Sequence, residues 1–219
     1  MRIFHVFLDI LFPMRCITCG KKDTPLCYTC LEKVPAAPET KHPSISALYS
    51  YRHPAIKKAL WALKYRNNTT PAEVFGASLY EYLLEHSYEF TTFSRALQHD
   101  KAVVVPIPIH KKRLRERGFN QSEKIIEVLQ SHDKNQSFTF ANDVLYKIKE
   151  TPPQASIKER QARSKNIHGC FAIMNAEKIK NKVVIVIDDI TTTGATLNEA
   201  IKELERAGAA KAIGVAIAH

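Results

Sequence analysis

Residues 183–196, VVIVIDDITTTGAT, constrain the fold more than any other part of the chain. Five apolar residues, Val183 to Ile187, run directly into Asp188 and Asp189. An uninterrupted run of this kind reads as a strand covered on both faces, the usual state of a strand in a parallel sheet. A hydroxyl-rich turn with one glycine follows, and Leu197, Ala200, Ile201 and Leu204 then align on one side of a helix that stops at Gly208. Strand, acidic end, short loop and helix together place two carboxylates and a glycine loop at the carboxyl edge of a sheet, where open α/β sheets bind their ligands.

The rest of the chain fits the same layout. SALYSYR and KAVVVPIPI read as strands, as do DVLYKI, CFAI and AIGVAIA. Between them, Ile56, Leu60 and Leu63 mark the buried face of a helix opened by Pro54. Trp61 lies on a second stripe of that helix with Lys57 and Lys64, and the expectation for it is a core position rather than a base-stacking platform. A second helix is expected over residues 71–87, and a third through Ser122, Ile125, Ile126 and Leu129. Strands alternating with helices predict an α/β fold with a mainly parallel sheet flanked by helices. Residues 149–168 form a polar stretch with Pro152 and Pro153 and no clear periodicity, which reads as a functional lid.

The acid pair and its loop offer two kinds of recognition. Carboxylates accept hydrogen bonds from sugar hydroxyls or help to hold Mg²⁺. Backbone amides at a helix start, with threonine hydroxyls around them, surround a phosphate. Gly194 lets the backbone approach that phosphate closely. A sugar phosphate needs both features about one sugar apart. A P-loop would require lysine where Ala195 follows Gly194, and a dinucleotide fingerprint would require three spaced glycines where this stretch has one. A receiver domain would carry its paired acids on the first strand and would leave the hydroxyl loop unexplained.

Four of the five cysteines, Cys16, Cys19, Cys27 and Cys30, form two C-x2-C pairs. Each pair brings two thiolates to one ion from a tight turn, so the expectation is a closed, structural Zn²⁺ site that folds a segment too small for its own core. Redox-active pairs are the competing reading. Cys170 is expected to be a small buried apolar residue. The expected organisation is an N-terminal helix, zinc module and proline-rich linker over residues 1–42, followed by one domain over residues 43–219.

Lys plus Arg number 32 against 22 Asp plus Glu, a net charge of +10 that points to an anionic partner. The N-terminal MRIFHVFLDILFP is short, is interrupted by Asp9 and lacks a cleavage site, so it reads as a short packed helix, with a membrane-surface anchor as the alternative. A cytoplasmic protein, peripheral at the inner membrane in that alternative, is the expectation.

The segment around Asp188 and Asp189 closely resembles the phosphoribosyl-pyrophosphate (PRPP) motif of type I phosphoribosyltransferases, with Thr191 where an aliphatic residue is more usual. RERGFNQSEKI, PPQASIKERQARSKNIHGCF, LKYRN and LDILFPMRCITCG resemble the ComF (ComFC-type) competence-protein family, in order along the chain. That resemblance implies a zinc module before a type I phosphoribosyltransferase domain, and a link to natural transformation, the uptake of DNA. It assigns the ribose, directly or with Mg²⁺, to Asp188 and Asp189. The PRPP loop becomes Thr191, Thr192, Thr193, Gly194, Ala195 and Thr196. Arg115, Arg117 and Gly118 in R-x-R-G-F-N-Q, with Arg113 beside them, are pyrophosphate candidates, and Gln154, Arg160 and Asn166 are lid candidates. Asn120 and Gln121 either cap the next helix or line the pocket. His110 and His168 are weak acid–base candidates, each better read as a surface histidine.

Two functions follow. One is a Mg²⁺-dependent phosphoribosyltransferase with an unassigned acceptor. The other is a non-enzymatic module for single-stranded DNA, working with a competence helicase or translocation partner. Charge favours the second and the intact acid pair favours the first.

Overall fold

A computed structural model describes residues 15–22, 24, 26–65, 69–87, 101–150 and 167–219. Along the chain lie α1 (Tyr28–Leu31), β1 (Ile45–Tyr49), α2 (Pro54–Tyr65), α3 (Thr70–Glu85), β2 (Val103–Pro106), α4 (Lys111–Arg117) and α5 (Gln121–His132). Then come β3 (Thr139–Phe140), β4 (Leu145–Lys147), β5 (Phe171–Ile173), β6 (Val183–Ile190), α6 (Ala195–Arg206) and β7 (Lys211–Ala218). The expected N-terminal helix and the lid candidates Gln154, Arg160 and Asn166 lie outside the described residues.

Five strands form one sheet in the order β1-β7-β6-β2-β3, and every pairing is parallel. The apolar run of β6 occupies its centre, with Val104 beside Ile185 on one side and Ile213 beside it on the other. Because side chains alternate along a strand, β6 feeds two cores. Val183, Ile185 and Ile187 pack with residues of α2, α3 and α5. Val184 and Val186 pack with Leu197, Ala200 and Leu204 of α6 and with Phe171 of β5. The same alternation sends Asp188 and Asp189 to opposite faces of the sheet.

The strand candidates DVLYKI and CFAI form β4 and β5, which pair with each other in a separate antiparallel ribbon, Leu145 opposite Ile173 and Lys147 opposite Phe171. Cys170 is fully buried among these residues, as expected.

The cysteine segment shares the body's core. Leu26, Leu31 and Val34 pack into the cluster that holds Ile56, Leu60 and Phe75. The proline-rich exit expected as a linker lies along the outer edge of β1: Ala36 bridges Tyr49, and the Ala37 amide donates to the Leu48 carbonyl at 3.1 Å. An open strand edge has unpaired backbone groups, and this segment satisfies some of them.

The core expectation for Trp61 is corrected by the structure. Its residue is 49% exposed, because Ala55, Ile56, Ala59, Leu60, Ala62 and Leu63 already fill the inward face of α2. Trp61 shares the outer face with exposed Lys57 and Lys58. No helix among the described residues is long and apolar enough to cross a membrane.

Contact between α3 and α5 depends on Gly76. A Cβ there would lie 2.6 Å from Val128 Cβ and 2.7 Å from the Ile125 carbonyl oxygen. Gly76→Ala is therefore expected to destabilise the chain by about 1–3 kcal/mol through overpacking, read as a lower urea midpoint with an unchanged slope.

Candidate functional site

At the carboxyl end of β6 the two acids have different surroundings. Asp189 is 8% exposed and points to the α2 face. Its Oδ2 lies 2.7 Å from Nζ of Lys64, in the last turn of α2. Burial opposes the Lys64 charge, but Asp189, and Asp188 behind it, outweigh burial and hold the ammonium above its usual pKa. Asp188 is half-buried on the other face and accepts a hydrogen bond from the Asp189 amide at 2.8 Å. Burial, with the Asp189 charge next, pushes the Asp188 carboxyl up to about 8. Lys147 of β4 lies within the field of both Asp188 and Arg113, and burial holds its pKa below the usual value. Lys64 thus contacts the acid pair directly, while Lys147 only feels the Asp188 charge.

The threonine loop begins with its first amide already engaged. Thr191 is buried, and its N–H donates to the Ala218 carbonyl at 2.9 Å, continuing the β6–β7 pairing. That amide is not available to a phosphate, so the loop amides that could face an anion begin at Thr192. Thr193 Oγ1 accepts from the Ala195 amide at 3.4 Å. Gly194, at φ +76°, is the residue immediately before α6. Ala195 and Thr196 form the first turn of that helix. Thr192 and Thr193 with Gly194, Thr40, Lys41, His42 and His219 line a cavity of about 190 Å³.

Gly194 is tightly enclosed. A Cβ there would lie 2.7 Å from His42 Cδ2 and 3.1 Å from Ile45 Cδ1, in a backbone conformation that side chains disfavour. Gly194→Ala is expected to distort the loop and lower the Tm, read by calorimetry, since about 1–3 kcal/mol of local strain must be absorbed there.

The basic string after β2 folds as a short helix. His110 caps α4 by accepting from the Lys112 amide, and Gly118, at φ +80°, closes it. Arg115 and Gly118 are exposed, while Arg113 and Arg117 are half-buried. Arg117 Nη1 donates to Gln121 Oε1 at 3.1 Å, and its charge reaches Lys64. Arg113 is felt by Lys147 on the other side. Asn120 is a helix cap: its Oδ1 accepts from the Ser122 amide, and its Nδ2 donates to the Ile107 carbonyl. Gln121 is buried, and its Nε2 has no hydrogen-bond partner among the described residues. The His168 side chain is 75% exposed and lies 3.3 Å from Glu199.

Sequence reading missed Lys64 and Lys147. Lys64 was visible in the Lys57–Trp61–Lys64 stripe and within the LKYRN segment, but nothing local to it points to a carboxylate 125 residues later.

The Sγ atoms of Cys16, Cys19, Cys27 and Cys30 lie within 4.8 Å of one another, and those of Cys19 and Cys27 are 3.6 Å apart. A tetrahedral Zn²⁺ with bonds of about 2.3 Å needs sulfurs about 3.8 Å apart, so the four could hold that ion. None of the four is in a disulfide. At Cys16, burial is outweighed by amide donors from Cys19, Cys27 and Thr18, which lower its thiol to about 6. Burial and the neighbouring thiols push Cys30 up to about 12.

Residues 124–219, from α5 through the acid pair to the C-terminus, match the family model described as phosphoribosyl transferase domain. Competence protein ComFC of Bacillus subtilis is 29% identical over 167 residues, covering 76% of this chain and 60% of that protein. Competence protein ComFC of Streptococcus pneumoniae is 30% identical over 164 residues, covering 74% and 62%. Over about three quarters of its length the chain is thus similar to ComFC competence proteins. Competence protein F of Haemophilus influenzae is 26% identical over 106 residues, or 48% of this chain and 44% of that one. The matches thus span less than two thirds of each ComFC-type relative's own length.

Proposed function

We propose that this ComFC relative binds PRPP with Mg²⁺ and acts as a phosphoribosyltransferase in competence, in the handling of DNA taken up by the cell. One observation carries this reading: an acid pair at the end of the central parallel strand runs into a glycine-turned threonine loop at a helix start, beside a cavity of about 190 Å³. The amides and hydroxyls from Thr192 to Thr196 would hold the 5′-phosphate. Asp188 would accept from the ribose hydroxyls, with Asp189 kept in place by Lys64.

Arg113, Arg115 and Arg117 of α4, with Gly118, supply the positive end expected for pyrophosphate. Mg²⁺ would add charge there as the leaving group departs. It would be carried largely by the pyrophosphate itself, because Asp189 already has a cation at 2.7 Å. Departure of pyrophosphate builds positive charge at C1′, and fixed donors around the leaving oxygens lower that barrier. Gln154, Arg160 and Asn166 are retained as lid candidates. In this reading the acceptor enters from the β4–β5 side, where Lys147 feels the Asp188 charge.

A second reading, single-stranded DNA binding with a translocation partner, has its own support in the +10 charge and in exposed Trp61 beside Lys57 and Lys58. The two readings are compatible, since that face of α2 is separate from the threonine loop. A thermal-shift series tests the first. PRPP with Mg²⁺ should raise the Tm by several degrees as its concentration passes the Kd. Mg²⁺ alone should not. Equal shifts with Mg²⁺ alone would count against a sugar-phosphate site.

A further inference from the structure

We infer that Lys64 is a built-in cation of the acid pair, holding Asp189 in the charge-compensated state that a divalent ion would otherwise have to provide. Lys64 sits in the last turn of α2 and reaches β6 across the core, with its Nζ 2.7 Å from Asp189 Oδ2. Its side chain is 21% exposed and that of Asp189 is 11% exposed, so the contact is largely withdrawn from water. A pair in that setting differs from a surface salt bridge. Removing one partner leaves the other as an uncompensated buried charge, which is strongly unfavourable. Arg117, whose charge reaches Lys64, donates to Gln121 at 3.1 Å.

The consequence is an unequal acid pair. Asp189 is neutralised from within the fold. Asp188, on the opposite face of β6, is the carboxylate left for a ligand. Without Lys64, Asp189 would carry an uncompensated negative charge with the Asp188 charge next to it in the strand, and a hard divalent cation would be drawn to that carboxylate. With Lys64 present, the metal has to arrive with its phosphate ligand. Lys64 is thus a positioning residue: it acts through Asp189 and sets which cation the acid pair takes.

The test is Mn²⁺ binding to the full-length, zinc-loaded chain without any phosphate ligand, at mildly alkaline pH, followed by electron paramagnetic resonance. Lys64→Met should bind Mn²⁺ at least about tenfold more tightly than the wild type, because an opposing charge has been removed within a few ångströms of the site. Lys64→Arg should behave like the wild type. The Lys64→Met/Asp189→Asn double variant should lose the gain. Lys64→Gln keeps a hydrogen-bond donor but not the charge, and takes the place of Lys64→Met if that chain fails to fold. Unchanged Mn²⁺ affinity in a folded, charge-removing variant would overturn the proposal, as would a gain that survives Asp189→Asn. The PRPP role of the pair rests on the proposed function, and a parallel PRPP titration of the wild type separates the two. Failure there sinks the PRPP reading and leaves the Mn²⁺ comparison intact.

Discussion

Asp188→Asn/Asp189→Asn is expected to abolish PRPP binding while leaving a folded chain. Above about pH 8, where Asp188 is ionised, hydrogen bonds from ligand hydroxyls to its carboxylate contribute about 1.5–3 kcal/mol each. Losing two such contacts weakens binding on the order of 100- to 10,000-fold. The two positions should differ in stability when changed singly. Burial raises the Asp188 carboxyl from 3.8 to about 8, so the native state binds that proton more tightly than the unfolded state. Its contribution to stability is fully present below the unfolded value and is lost as pH rises from about 4 to about 8. Asp188→Asn removes that loss and should raise the Tm of the unliganded chain above neutral pH by about 2–4 °C per kcal/mol recovered. Asp189→Asn leaves Lys64 buried without its partner and should lower the Tm instead. Calorimetric melts of the two single variants at acidic and alkaline pH check both signs. Equal Tm changes for the two would contradict the unequal pair.

Removal of zinc is the second large effect. The four sulfurs are gathered to within 4.8 Å and the segment has few apolar residues of its own, so ion binding should be coupled to its folding. Structural zinc in small modules contributes apparent free energies of about 10–16 kcal/mol. Here the loss should spread, because Leu26, Leu31 and Val34 share a core with α2 and α3. A strong chelator, or Cys27→Ser, should lower the Tm by more than about 10 °C and expose hydrophobic surface to a dye, given the few degrees that each kcal/mol is worth in a chain of this size. One zinc per chain by atomic emission is the companion result. A metal-free chain with an unchanged melt would show that the cysteines serve another purpose.

The parallel sheet could be read from residues 183–187 because five buried residues in a row leave few alternatives, and β6 lies at the sheet's centre as that predicts. The same run placed Asp188 and Asp189 at a strand end. Their division between two faces follows from the two-residue period, but the partner on each face does not. Lys64 and Lys147 come from α2 and β4, and only tertiary packing brings them to β6. Trp61 was misjudged because residue type outweighed helix phase: α2 already had a full inward face of alanine, leucine and isoleucine. Thr191 looked like loop by composition, yet its amide completes the ladder to β7, which depends on the register with Ala218. The ribbon of β4 and β5 was legible as two strands but not as a separate sheet, since strand pairing across a long insertion leaves no periodic mark.

The most direct measurement is a calorimetric titration of PRPP with Mg²⁺ into the zinc-loaded wild type. The expected result is saturable binding at one site per chain, lost in Asp188→Asn/Asp189→Asn and weakened in Gly194→Ala. A folded, zinc-loaded wild type that gives no binding heat at any temperature tried, and no Tm shift with PRPP, would contradict a sugar-phosphate site at the end of β6.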